Sequence, residues 1–182
     1  MNYIIFDLEA TCWLGHPPNG TQEIIEIGAV KVDHYAEVVD TFNMFVRPVV
    51  NTQLSAFCRK LTSITQKDVD TADSFDVVIE EFQDWIDIDE DFILCAWGDW
   101  DVKMLRHDCL LHKLDTAWLG RSSNLKTSYK NIYGLNNPMG LKNAIKNEGL
   151  EFTGIHHRAI SDAENTAKLF IIHFDQMGRM IG

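Results

Sequence analysis

Hydrophobic and polar positions along the chain fall into short blocks of two different periods. Residues 2–8 (NYIIFDL) form a nearly unbroken apolar run, the pattern of a buried strand. Residues 23–33 and 37–47 are two further β-rich runs joined by a short polar turn, which predicts a hairpin. Pro48 closes the second run because it has no N–H to give a ladder. From residue 74 the period changes. Phe75, Val78, Ile79, Phe82 and Ile86 share one helical face, predicting a helix over 74–87 with Ser74 as its N-cap. Residues 91–97 (DFILCAW) return to a strand pattern, and 101–112 to a helical one with Val102, Leu105 and Cys109 inward. Shorter helices are predicted over 124–133 and 140–148, the second followed by Gly149 at the C-cap position. Ser161 and Glu164 form a capping-box pattern near the start of a last helix that runs to about 176. Three antiparallel strands followed by strands alternating with helices give an α/β fold, a mixed central β-sheet flanked by α-helices.

The length of 182 residues matches one domain, expected to span 1–182. With 46% hydrophobic and 24% charged residues the chain has globular rather than disordered composition. Its net charge of −11 argues against a general polyanion binder or a membrane-surface protein. The opening MNYIIFDLEA has no basic leader segment, and no apolar run is long enough to span a bilayer, so no membrane partner is expected. Cys12, Cys58, Cys95 and Cys109 are widely spaced, which suits reduced thiols in a cytoplasmic protein. The acidic total hides a basic third. Residues 102–158 carry nine Lys and Arg against four acids. That segment is either a set of solvated helix faces or a track for an anionic ligand.

Asp7 and Glu9 stand two apart at the end of the first strand, so both side chains lie on one face. Two such carboxylates repel unless one takes a proton or a cation binds, and hard oxygen donors favour Mg²⁺ or Mn²⁺. The alternative is a strand end that simply meets solvent. Asp101 follows the 91–97 strand at the end where α/β sheets gather ligands, with Asp99 a competitor and a helix N-cap the plain structural role. His157 and Asp162 straddle a loop-to-helix junction, and a histidine is suited to take a proton from water near neutral pH. His156, one position off, is expected to be a surface residue.

These residues carry a resemblance. Phe6-Asp7-Leu8-Glu9-Ala10-Thr11-Cys12, Gly98-Asp99-Trp100-Asp101 and His157-Arg158-Ala159-Ile160-Ser161-Asp162-Ala163 resemble, in order, the three motifs of the DEDDh 3′→5′ exonucleases. The run from Glu23 to Ala29 is similar to their following strand. Val46-Arg47-Pro48, and Leu54 to Gln66, resemble the histone-mRNA 3′ exonuclease branch and its bacterial relatives, and a nucleic-acid-binding extension like that of the eukaryotic members is not expected. The resemblance implies a ribonuclease-H-like fold and two divalent cations. Asp7 would bridge both, Glu9 and Asp162 would complete the first, and Asp101 would act through water. His157 would be the general base. The resemblance also implies release of 5′ nucleotides from single-stranded nucleic acid, RNA before DNA, with the backbone near Ala10 and Thr11 meeting the terminal ribose. Trp100 is either a base-stacking residue or a core aromatic. Three other readings compete: a non-catalytic or regulatory binding protein on the same fold, a DNA proofreading-type exonuclease, and a haloacid-dehalogenase-like phosphatase. The last fits poorly, because Glu9 replaces its second Asp and it leaves His157 and Asp162 idle.

Overall fold

A computed structural model describes residues 1–181. The elements run β1 (Asn2–Ala10), β2 (Ile24–Val32), β3 (Val38–Phe45), α1 (Ala56–Thr62), α2 (Gln66–Asp70), α3 (Phe75–Ile86) and β4 (Phe92–Ala96). Then follow α4 (Trp100–Leu111), a 3₁₀ turn (Ala117–Leu119), β5 (Ser122–Asn124), α5 (Leu125–Ile132), α6 (Leu141–Asn147), α7 (Ala159–Ile172) and α8 (Phe174–Ile181). The sheet order is β3-β2-β1-β4-β5. β1, β2 and β3 pair antiparallel, while β1, β4 and β5 run parallel. The expected mixed sheet is therefore present.

Strand alternation sorts the two cores. Ile4, Phe6 and Leu8 of β1 pack with α3 and α4 residues such as Phe82 and Leu105. Tyr3 and Ile5 face the other way, onto Ala163, Ala167 and Phe170 of α7 and residues of α5 and α6. Asp7 and Glu9 continue the Tyr3–Ile5 face as the strand leaves the core, so the acids emerge on the side that α7 covers.

The hairpin turns where predicted, with Asp33 Oδ1 accepting from the amides of Tyr35 and Glu37. Gly149 follows α6 at φ 69°, the left-handed conformation that a C-terminal glycine supplies most readily. Other expectations need correction. Ser74 occupies the N-cap of α3, but its hydroxyl makes no cap bond. Ser161 does not cap the last long helix. It lies inside α7, its hydroxyl accepts from Ile155 N at 3.2 Å, and Arg158 holds the N-cap position. The helix expected to reach about 176 breaks at His173, whose ring turns inward to Tyr129 and to Glu148 at 3.2 Å. Helices α1 and α2 and the short β5 lay outside the sequence reading. α1 and α2 are only 7 and 5 residues long, too short to show a period, and both are held by side-chain caps from Ser55 and Thr65.

Candidate active site

β1 runs past the end of β4, and the space beyond the shorter strand is where the acids collect. β1 pairs with β4 only as far as Ile5, opposite Cys95. Leu8 N–H is instead taken by Asp101 Oδ1 at 3.2 Å. Asp101 sits in the first turn of α4 and is 7% exposed. One carboxylate thus closes the open edge of β1 and faces the same cleft as Asp7 and Glu9.

The second wall comes from α7. Its N-terminus crosses β2 at Gly28, so closely that a Cβ there would lie 2.1 Å from Ile160 N. Glu26, opposite Glu9 in the β1–β2 register and wholly buried, ties that crossing down. Its carboxylate accepts from Arg158 Nη2 at 2.8 Å, from Arg158 Nε at 3.1 Å, and from Ala159 N at 3.0 Å. Arg158 also lies over the Phe45 ring, 5.1 Å from its centroid. These contacts fix the turn that carries His157. His157 adopts φ 64°, uncommon for a residue with a side chain, and Asp162 Oδ2 accepts its N–H at 3.0 Å.

Four carboxylates and two imidazoles therefore line one cleft of about 340 Å³. Asp7, Glu9 and Asp162 each offer an oxygen within 4.8 Å of the others. His157 Nδ1 is 4.0 Å from Glu9 Oε1. Asp162 Oδ1 is buried without a hydrogen-bond partner. A buried, unpartnered carboxylate oxygen beside two further carboxylates fits a divalent cation, and an all-oxygen donor set suits a hard one.

The electrostatics agree. Burial, then Asp101, Asp162 and Glu9, hold the Asp7 carboxyl far above the ordinary range. Burial and Asp162 push Glu9 up to about 8. Burial raises Asp101 to about 6 against the Leu8 hydrogen bond, and Asp162 to about 6 against the His157 amide and Lys142. Cation-free, the cluster relieves its repulsion by holding protons. Burial and then Lys142 lower His157, which favours the uncharged ring that can accept a proton.

The remaining expected residues separate. Ala10 lines the cleft. Thr11 is buried, its N–H spent on Glu23 O at 2.8 Å and its hydroxyl accepting from Glu23 N at 2.9 Å, so of the two only Ala10 faces the cleft. Trp100 is 44% exposed at the cleft wall, which rules out the core-aromatic role. Asp99 turns to Asn124 at 2.9 Å, leaving Asp101 as the acid of its motif in the cleft. His156, expected on the surface, is partly buried in the cleft with its ring centroid 3.9 Å from that of His157. Of the basic segment, Lys142 acts on His156, His157 and Asp162 through its charge, and Lys103 lies in a shallow groove beyond Trp100. Glu26 was missed as a functional support. Its one signal is an acid inside the apolar run Ile24-Ile25-Glu26-Ile27.

The carboxylate cluster and the adjacent histidines thus lie at the open end of a mixed sheet with the order of a ribonuclease-H-like fold. The Exonuclease (RNase_T) family profile matches residues 4–170, and the chain belongs to that family. Human 3′-5′ exoribonuclease 1 is 36% identical over 176 residues, covering 92% of this chain and 50% of the relative. The probable 3′-5′ exonuclease KapD of Bacillus subtilis is 35% identical over 170 residues, covering 92% of this chain and 82% of the relative. The chain thus spans about half the length of the human relative. The nuclease domain of 3′hExo, a DEDDh family member solved with rAMP, superposes with TM-score 0.88 at 35% identity, over 96% of this chain and 92% of that one.

Proposed function

We propose that this chain is a 3′→5′ exonuclease that removes nucleotides one at a time from the 3′ end of single-stranded RNA, releasing 5′ nucleotides. The observation that carries the reading is the cleft itself. Asp7, Glu9 and Asp162 converge with one unpartnered carboxylate oxygen, and the His157 ring stands 4.0 Å from Glu9. Asp7 would be shared by two divalent ions, Mg²⁺ or Mn²⁺, with Glu9 and Asp162 holding the first and Asp101 acting through water. When bound, the pair supplies charge for the attacking and leaving oxygens of the phosphodiester. The protein's own residues do the rest. His157, held in its turn by the Asp162 carboxylate, accepts the proton of the attacking water. Backbone at Ala10 meets the terminal ribose, and Trp100 stacks on the terminal base. Lys142 draws the phosphate against an otherwise acidic chain. The cleft takes an unstacked end, which favours short or single-stranded substrates over long duplex. RNA is favoured over DNA because the relatives include human 3′-5′ exoribonuclease 1 and the rAMP-bound nuclease domain. One domain carries the activity, supported by the single five-stranded sheet. A reducing cytoplasm suits its four free cysteines, and among the described residues no helix is long and apolar enough to cross a membrane.

The test is hydrolysis of 5′-labelled single-stranded RNA and DNA of one sequence with Mg²⁺, Mn²⁺ or chelator, beside Asp7→Ala and His157→Ala. The expected result is a ladder shrinking from the 3′ end, faster on RNA, abolished by chelator and by Asp7→Ala. Loss of the base lowers the rate by about 10²–10⁴-fold. Intact strands with either metal overturn the reading and bring the regulatory or binding role forward.

A further inference from the structure

The cleft contains a second donor set that shares Asp162 with the carboxylate cluster and adds two imidazoles. His156, His157 and Asp162 each present a ligand atom, and these lie within 4.8 Å of one another. The two imidazoles are adjacent in sequence yet meet at 62° with ring centroids 3.9 Å apart. His156 is kept on this side by an edge contact with Phe152, centroids 5.4 Å apart. The third donor has a free atom, because Asp162 Oδ2 is engaged by the His157 amide while Oδ1 is buried and unpartnered.

Two nitrogens and one oxygen are a poor set for Mg²⁺, which demands oxygen in near-octahedral array. They are a good one for Zn²⁺, which takes imidazole nitrogen at about 2.0–2.1 Å and carboxylate oxygen at about 2.0–2.2 Å, in a tetrahedron completed by water. Donors in such a tetrahedron lie about 3.3–3.6 Å apart, so three atoms now within 4.8 Å of one another must draw in by up to about 1.5 Å as the ion binds. Zn²⁺ also stands above Mn²⁺ in affinity for a given N/O site.

We propose that His156, His157 and Asp162 form an inhibitory Zn²⁺ site overlapping the catalytic one. An ion there takes the His157 lone pair that would otherwise accept a proton, and it occupies Asp162. The site separates two classes of cation by donor type: hard ions settle among the oxygens of Asp7, Glu9 and Asp162, while Zn²⁺ crosses to the histidines. The binding claim stands on these three residues alone. The inhibitory consequence rests on the exonuclease reading above.

The experiment titrates Zn²⁺ by calorimetry into the full chain held in excess Mg²⁺. Histidine ring resonances are followed in parallel, and His156→Asn and His156→Gln are run beside the wild type. One Zn²⁺ per chain is expected, with ring shifts at both His156 and His157, and both variants should weaken binding by at least about tenfold. Equal Zn²⁺ affinity in both variants, or no binding against Mg²⁺, overturns the site. In the activity arm, Zn²⁺ should inhibit Mg²⁺-supported hydrolysis by the wild type, with the inhibitory concentration at least about tenfold higher in the variants. Unchanged sensitivity in the variants refutes the inhibitory role. A wild type that binds Zn²⁺ at the histidines but cuts no strand with Mg²⁺ refutes the exonuclease reading and leaves the metal site standing.

Discussion

Glu26→Ala removes a carboxylate that touches no substrate, and the consequences should be large. Glu26 is fully buried and accepts from both Arg158 Nε and Nη2 and from Ala159 N. Without it a guanidinium whose side chain is only 22% exposed loses its counter-charge, and a buried amide at the start of α7 loses its acceptor. Breaking a buried pair by deleting one partner costs about 3–5 kcal/mol, and partial exposure of Arg158 places this case near about 3. For a chain of this size each kcal/mol lowers Tm by about 2–4 °C, so the variant should melt about 6–12 °C below wild type. Calorimetry on the Mg²⁺-loaded protein measures this directly. The companion variant Glu26→Leu with Arg158→Met removes both charges and should recover most of that loss. It should not recover activity, because Arg158 anchors the turn that holds His157, and an ångström of misplacement costs about 10²-fold. A Glu26→Ala Tm within about 2 °C of wild type would refute the argument that this pair braces the site. So would a double variant with wild-type kcat.

Gly28→Ala drives a Cβ into the backbone of Ile160, so either β2 or α7 must shift. We expect loss of activity together with a lower Tm, measured on the same sample, and unchanged values for both would be inconsistent with the close crossing. Stability of the chelated protein should fall as pH rises from about 5 to about 8.5. The folded state holds protons on Glu9, raised to about 8, and on Asp101 and Asp162, each raised to about 6, that the unfolded chain has already released, so the penalty appears as pH passes the ordinary carboxylate range and grows to the folded values. Mg²⁺ should flatten that slope, and a chelated protein more stable at pH 8.5 than at 5 would contradict it. Trp100→Ala should raise KM on RNA by an amount equivalent to about 1–3 kcal/mol with little change in kcat, as expected for lost stacking on an exposed indole.

The sheet and its long helices were legible because each has a period that a sequence displays. β1 and β2 read as strands from their apolar runs, and α3 from the spacing of Phe75 to Ile86. The acids that meet in the cleft were legible for a different reason: they stand at the ends of apolar segments, and the three motifs, taken in order, singled them out there. What failed depended on contacts between segments distant in sequence. Ser161 was a reasonable cap by pattern, but the turn at Arg158, pinned across to Glu26, set the helix start earlier. His156 was judged by its offset from a motif, whereas a left-handed turn at His157 brings both rings into the cleft. Trp100 could be core or mouth until the end of β4 fixed where α4 begins.

The pairing of β1 with β4, and the crossing of α7 over β2, have a consequence for how the protein is made. Asp7 and Glu9 are synthesised well before Asp162, yet none of them completes the cluster without the others. Contacts between such distant parts of a chain close late, since the loop entropy must be met before they form. On a translating ribosome the growing chain would hold two acids of the cluster without the Asp101 and Asp162 that face them. The carboxylate cluster is complete only when α7 has emerged and docked. Under the proposed exonuclease reading, a chain assembled in that order cannot attack any RNA before α7 is in place.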